Sequence, residues 1–122
     1  MKVCVTSTGK DLDSEVDPRF GRCAYFIIVD ADTLDHKAFP NPNIQAAGGA
    51  GIQSAQFVAN QGAEVVITGN VGPNASQTLS SSNIRVFTGA SGTVRNAVQK
   101  YKEKDLKETA GPTVSEHSGK ER

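Results

Sequence analysis

The sequence predicts an α/β domain built on a mixed five-stranded sheet with helices on its faces. Three observations predict it. Short apolar runs of strand length recur along the chain, stretches of helical spacing separate the later ones, and small-residue turns punctuate the junctions. The second and third strands are joined by a turn too short for a crossover, which makes that half antiparallel, whereas the later β-α-β units require parallel neighbours.

Lys2 to Ser7 reads as the first strand, and Thr8 to Gly21 as a polar loop carrying Asp11, Asp13, Glu15 and Asp17. Tyr25-Phe26-Ile27-Ile28-Val29 is a near-continuous apolar run, placing a second strand over 24–30. Asp30 to Thr33 is a hairpin turn into a weaker edge strand over 34–39, ended by Pro40 and Pro42. Ile52, Ala55, Val58 and Ala59 recur at helical spacing and stop before Gly62. Val65-Val66-Ile67 is a short buried strand, and Gly72-Pro73 then starts a helix, proline being suited to a first turn whose N–H groups have no helical partner. A strand over 84–87 follows. Ser91 or Thr93 caps a last helix with the stripe Val94, Ala97, Val98, Tyr101. Beyond Leu106 the chain is polar and without period, so residues 1–105 are expected to form one domain and 106–122 a disordered tail. This order of elements resembles a ribonuclease H-like three-layer fold. In such sheets ligands gather at the carboxyl ends of parallel strands where strand order reverses. The loops after Ser7, Thr68 and Phe87 converge there.

Composition narrows the function. The 122 residues, 37% of them hydrophobic, suffice for one core burying roughly 65–70% of the unfolded surface. Thirteen basic and thirteen acidic residues cancel, which argues against nucleic acid as a general partner. Arg19-Phe20-Gly21-Arg22-Cys23 also lacks the alternation of an RNA-binding aromatic motif. No run is long enough to span a membrane, and the first residues read as a strand, so the expected location is cytoplasmic. Two cysteines are no disulfide framework, and two histidines, His36 and His117, do not form a zinc spacing. Between residues 41 and 90 the only charges are Glu64 and Arg85, while seven of the twelve glycines lie there. That composition marks tight turns or backbone that must approach something closely.

Two features carry chemistry. In Asp17-Pro18-Arg19-Phe20-Gly21-Arg22-Cys23 a thiol lies close in sequence to two guanidinium groups, whose charge would favour the thiolate and make Cys23 a metal ligand. The alternative is that Asp17 and Arg19 pair to shape the loop while Cys23 begins a strand as a small apolar residue. The second feature is a set of small-residue turns, Gly48-Gly49-Ala50-Gly51, Gly69-Asn70-Val71-Gly72-Pro73 and Thr88 to Thr93. Turns of this kind at one sheet edge are either an anion cradle or plain β-to-α connections. Cys4, between Val3 and Val5, reads as a core thiol. The acids of the first loop crowd one segment rather than converging from several elements, so two-metal nuclease chemistry has no support, and no Ser-His-Asp or Cys-His set can be assembled.

Asp17-Pro18-Arg19-Phe20-Gly21-Arg22, Gly49-Ala50-Gly51-Ile52-Gln53, Val66 to Ala75, Ile84-Arg85-Val86-Phe87 and Gly92-Thr93-Val94 together resemble the dinitrogenase iron-molybdenum cofactor biosynthesis family over about residues 1–103. Its members include carriers of nitrogenase cofactor precursors and a protein holding a molybdenum-copper-sulfur cluster. The resemblance implies a non-catalytic protein that binds, carries or protects an iron-sulfur or molybdenum-containing metallocluster. Its partners would be cluster donor and acceptor proteins, its state a monomer or weak dimer. The implied site comprises Arg19, Phe20, Arg22, Cys23, Gly49, Gly51, Gly69, Asn70 and Gly72, with Cys23 ligating a metal. A small-anion or phosphometabolite-binding regulatory module using the same turns without metal is the other reading.

Overall fold

The computed structural model describes residues 1–42 and 49–111. Gly48 of the first glycine turn, and Pro112 onward in the polar tail with His117, lie outside the described residues. One mixed sheet carries three helices. Its strands are β1 (Lys2–Ser7), β2 (Tyr25–Asp30), β3 (His36–Pro40), β4 (Val65–Ile67), β5 (Arg85–Thr88) and β6 (Lys107–Glu108). The helices are α1 (Ala50–Asn60), α2 (Pro73–Ser81) and α3 (Val94–Lys102). The spatial order is β3-β2-β1-β4-β5-β6, parallel at β1/β4 and β4/β5 and antiparallel elsewhere.

Side chains alternate across the strands, and each set finds its own cover. Val3, Val5, Ile27, Val29, Val65, Ile67 and Phe87 face α3 through Val94, Ala97 and Val98. Cys4, Phe26, Ile28, Val66 and Val86 face α1 and α2 through Ala55, Val58, Ala75 and Leu79. Two buried clusters thus sandwich the sheet, a three-layer arrangement in which every strand except the outermost pair is apolar on both faces. The β2–β3 turn is set by Asp30, whose carboxylate accepts the N–H groups of Asp32 and Thr33 at 2.8 and 3.2 Å and is thereby held below its ordinary pKa. Leu34 completes the reversal at φ 66°. Pro40 is tolerated because β3 lies at the sheet edge, where a missing donor breaks no ladder.

The sheet has six strands, where five were expected. The sixth, Lys107–Glu108, falls in the stretch expected to be a disordered tail. It carries no apolar residue and is held instead by the main chain, Thr109 N–H donating to Val86 O at 2.8 Å, and by a two-point Arg85–Glu108 ion pair at 2.8 and 3.0 Å. That pair keeps Glu108 below its ordinary pKa.

Candidate anion-binding site

Asp17 organises the site. Its N–H donates to Thr6 O at 2.9 Å, and the Thr6 hydroxyl lies 2.6 Å from Asp17 O and 2.8 Å from the Thr68 hydroxyl. Thr6 lies one residue beyond the last β1–β4 pair, Val5 with Ile67, and Thr68 follows β4, so the Thr6 hydroxyl, with that of Thr68 beside it, holds the loop where two neighbouring strands end. The Asp17 carboxylate, 3% exposed, accepts the Arg19 backbone N–H at 3.1 Å and its guanidinium at 3.2 and 3.3 Å. A buried carboxylate needs such donors, and here they orient a guanidinium that is itself 64% exposed.

The following residues lie as a strap over the turn after β4. Asn70 N–H donates to Pro18 O at 2.8 Å and Phe20 N–H to Asn70 O at 3.3 Å. Gly69 is needed for this approach, since a Cβ there would stand 2.6 Å from Pro18 Cα. Gly21, at φ 95°, rests on α1, its notional Cβ 3.2 Å from Gly51 Cα, and Gly51 in turn lies against Ala75 of α2. Phe20 is buried beneath, tilted on Phe26 at 5.9 Å between ring centroids. Arg19, Phe20, Gly51, Gly69 and Asn70 therefore meet at one place. Gly72 lies two residues on, as the N-cap of α2, and Gly49 is the N-cap of α1 at φ 74°. Neither cap has a side-chain hydrogen bond and neither first turn holds an acid. Helix starts of this kind carry positive partial charge and favour anions. Arg22 follows on the same loop, half-buried.

The third glycine turn lies at the same sheet edge, Gly89 and Ala90 N–H donating to Gly69 and Thr68 O at 2.9 and 3.2 Å, but the helix it leads into is already covered. The α3 start is closed by the Thr8–Val16 loop, Val94 and Arg95 N–H donating to Ser14 and Leu12 O at 2.9 and 2.8 Å, while the Thr93 hydroxyl accepts from Asn96 N–H at 3.1 Å. Main-chain capping of this sort leaves nothing for a ligand there.

Cys23 also departs from expectation. Its side chain is fully buried in the α1/α2 cluster, and desolvation, followed by the nearby Asp17 charge, pushes its thiol from 9.0 up to about 12. Arg19 acts in the expected direction but as the smallest contribution. Closeness in sequence to arginine did not make a thiolate, because the guanidinium reaches outward to solvent while the thiol points inward. Asn41, buried between two prolines, donates to Gly21 O at 3.0 Å and Cys23 O at 2.9 Å and braces the strap from below. No period or motif singles out Asn41, whereas the matched Thr6 and Thr68 at adjacent strand ends are a legible signal. Among the described residues no three His, Cys, Asp or Glu are grouped to hold a metal ion.

A raised thiol pKa couples to stability. The unfolded thiol ionises from pH 9.0 and the folded one only near 12, so stability is intact below pH 9.0 and is lost as pH rises through that window. Cys4, raised by its own burial, acts in the same direction. Urea unfolding across the window is expected to show this loss, reduced in Cys23→Ala, and iodoacetamide is expected to leave the native Cys23 unmodified at neutral pH.

The family model described as dinitrogenase iron-molybdenum cofactor matches residues 1–104. The chain belongs to this family. The dinitrogenase iron-molybdenum cofactor fold is shared by the apo form of the orange protein from Desulfovibrio gigas, at TM-score 0.89 and 42% identity over 92% of this chain and 95% of that one. A NifB-like Thermotoga protein of the DUF35 family superposes at TM-score 0.80 with 36% identity, covering 92% of this chain and 96% of that one. An uncharacterised protein of Methanocaldococcus jannaschii is 27% identical over 97 residues, 77% of this chain and 82% of its own. Among the described residues no helix is long and apolar enough to cross a membrane.

Proposed function

We propose that the chain binds, carries or protects an anionic metallocluster, iron-sulfur or molybdenum-containing, without transforming it. The observation that carries this reading is the strap, which holds the exposed Arg19 guanidinium by a buried Asp17 beside two helix starts with neither side-chain cap nor acid. A metal-sulfide cluster is a bulky anion with surface sulfurs that accept hydrogen bonds. Arg19 and Arg22 would supply charge, and the backbone around Gly49, Gly51 and Gly72 would supply N–H donors, while Gly69 and Asn70 hold the strap in place. Phe20 supports them from beneath.

With Cys23 buried and protonated, the cargo would be held by charge and hydrogen bonds rather than by a thiolate, which suits a carrier that must release what it holds. Donor and acceptor proteins in the cytoplasm would be its partners, meeting a monomer or weak dimer. The ribonuclease H-like reading of the strand order fits a scaffold without nuclease chemistry, since Asp13 is engaged with Arg95 at 3.1 Å and the loop acids do not gather.

The same two helix starts, free of side-chain caps and acids, suit one other reading, a small phosphorylated metabolite. Anaerobic incubation with iron, sulfide and molybdate tests the pair. Cluster binding predicts bound metal and charge-transfer absorbance retained in Cys23→Ser. A metal-free protein whose Gly49 to Ile52 amides shift with inorganic phosphate would establish the metabolite reading instead.

A further inference from the structure

A groove opens on the α3 face of the sheet, between the end of α3 and the β5–β6 edge. It measures about 510 Å³, within the range of ligand sites. Its floor is apolar, Phe87 and Tyr101 meeting edge to face at 5.1 Å with Leu106 beside them. One wall is Arg85, spent on Glu108 and lying over the Phe87 ring at 5.3 Å. Lys102 and Lys104 form the rim, both exposed, and neither takes part in an ion pair among the described residues.

We propose that this groove binds an acidic peptide segment of a partner protein, an apolar side chain resting on Phe87, Tyr101 and Leu106 and carboxylates meeting Lys102 and Lys104. Three observations support it. The wall pair is internally neutral and neither rim lysine is ion-paired with the flanking Glu103 or Asp105, so the groove's lining is net positive, which an acidic segment would complement. An extended chain, rather than a compact solute, fits because β6 is the sheet edge. The ladder turns Lys107 and Thr109 toward β5, and the Glu108 N–H and C=O toward the open side. Finally, Lys104 stands at φ 61° just past α3, where Asp105 N–H closes on Lys100 O at 2.8 Å. Glycine is the favoured residue at that left-handed position, so the lysine keeps a charge at the rim in a backbone conformation that disfavours it.

This docking reading is independent of the cargo reading, and its test uses metal-free full-length protein. The probe is a fluorescein-labelled synthetic peptide with one leucine between pairs of aspartates, followed by anisotropy. Saturable binding that weakens in high salt and on replacing the leucine by serine is expected. Lys104→Gly should raise Tm by a few degrees yet weaken binding roughly two- to fivefold, the weight of one exposed ion pair. The Lys102→Glu, Lys104→Glu double variant should lose binding while keeping its circular dichroism. Amide shifts should centre on Glu108 and Thr109. No saturable binding, equal affinity in the charge-reversed protein, or shifts centred on Asn70 would overturn the proposal.

Discussion

Gly69→Ala is expected to destabilise the fold by about 2–3 kcal/mol and to lift the strap off the turn after β4. The added Cβ would stand 2.6 Å from Pro18 Cα, 2.7 Å from its Cβ and 2.9 Å from its carbonyl oxygen. These atoms cannot swing aside, since the same carbonyl accepts Asn70 N–H at 2.8 Å and the preceding Asp17 is bonded to Thr6 on both its N–H and its C=O. Separating strap from turn would therefore release the Asn70 amide, move Arg19 and uncover Phe20. Denaturant unfolding with hydrogen exchange at Asn70 reads both effects. Gly72→Ala is the control, because nothing lies within 4 Å of its notional Cβ and its φ of −85° suits any residue. Its cost should stay within about 1 kcal/mol, that of exchanging glycine for alanine at an N-cap. A Gly69→Ala protein as stable as Gly72→Ala would show that the strap contact is not what closes the site.

Arg19→Glu is expected to lower the affinity for an anionic cluster by at least about tenfold, and Arg19→Ala by less. The guanidinium is the exposed, oriented cation of the strap, and its hydrogen bonds to Asp17 raise its own pKa further. Reversing the charge sets a carboxylate beside the buried Asp17 and in the path of the cargo. Arg19→Lys keeps the charge but loses the forked contact with Asp17, so it should fall between wild type and alanine. Asp17 keeps the residue 19 main-chain N–H in all three variants, so the loop should persist, at a stability cost of about 1–3 kcal/mol for the lost side-chain partner. Bound metal per chain after anaerobic reconstitution orders the series.

Most of the sheet was legible because its strands are apolar runs and its helices carry period. Pro73 stands at the start of α2 and Thr93 caps α3, both as their residue types suggest. What escaped the sequence rests on long-range main-chain contacts. Strand β6 is a Lys-Glu pair with no apolar side chain, held to a β-strand more than twenty residues earlier through Val86 O and Arg85. The α3 start is closed by carbonyls of Leu12 and Ser14, and every residue type offers a carbonyl, so no motif announces it. The pairing of Asp17 with Arg19 was one of two readings of the loop, and the structure shows it. Burial decided the other. Charges nearby in sequence predict a thiolate at Cys23, whereas the inward orientation of the thiol sets its ionisation. Within the site, the glycines at 51 and 69 mark residues that permit close approach, but their partners, Gly21 and Ala75 for the first and Pro18 for the second, are set by the strap crossing both turns, which no local pattern encodes.

The most direct test of the account is metal and acid-labile sulfide analysis of the protein purified without oxygen from a host competent in cluster synthesis, alongside Arg19→Glu and Cys23→Ser. Cargo held by charge and backbone donors predicts metal and sulfide in the wild type and in Cys23→Ser, and their loss in Arg19→Glu. Metal retained by Arg19→Glu and lost from Cys23→Ser would contradict it, placing the cargo on the buried thiol instead of the strap.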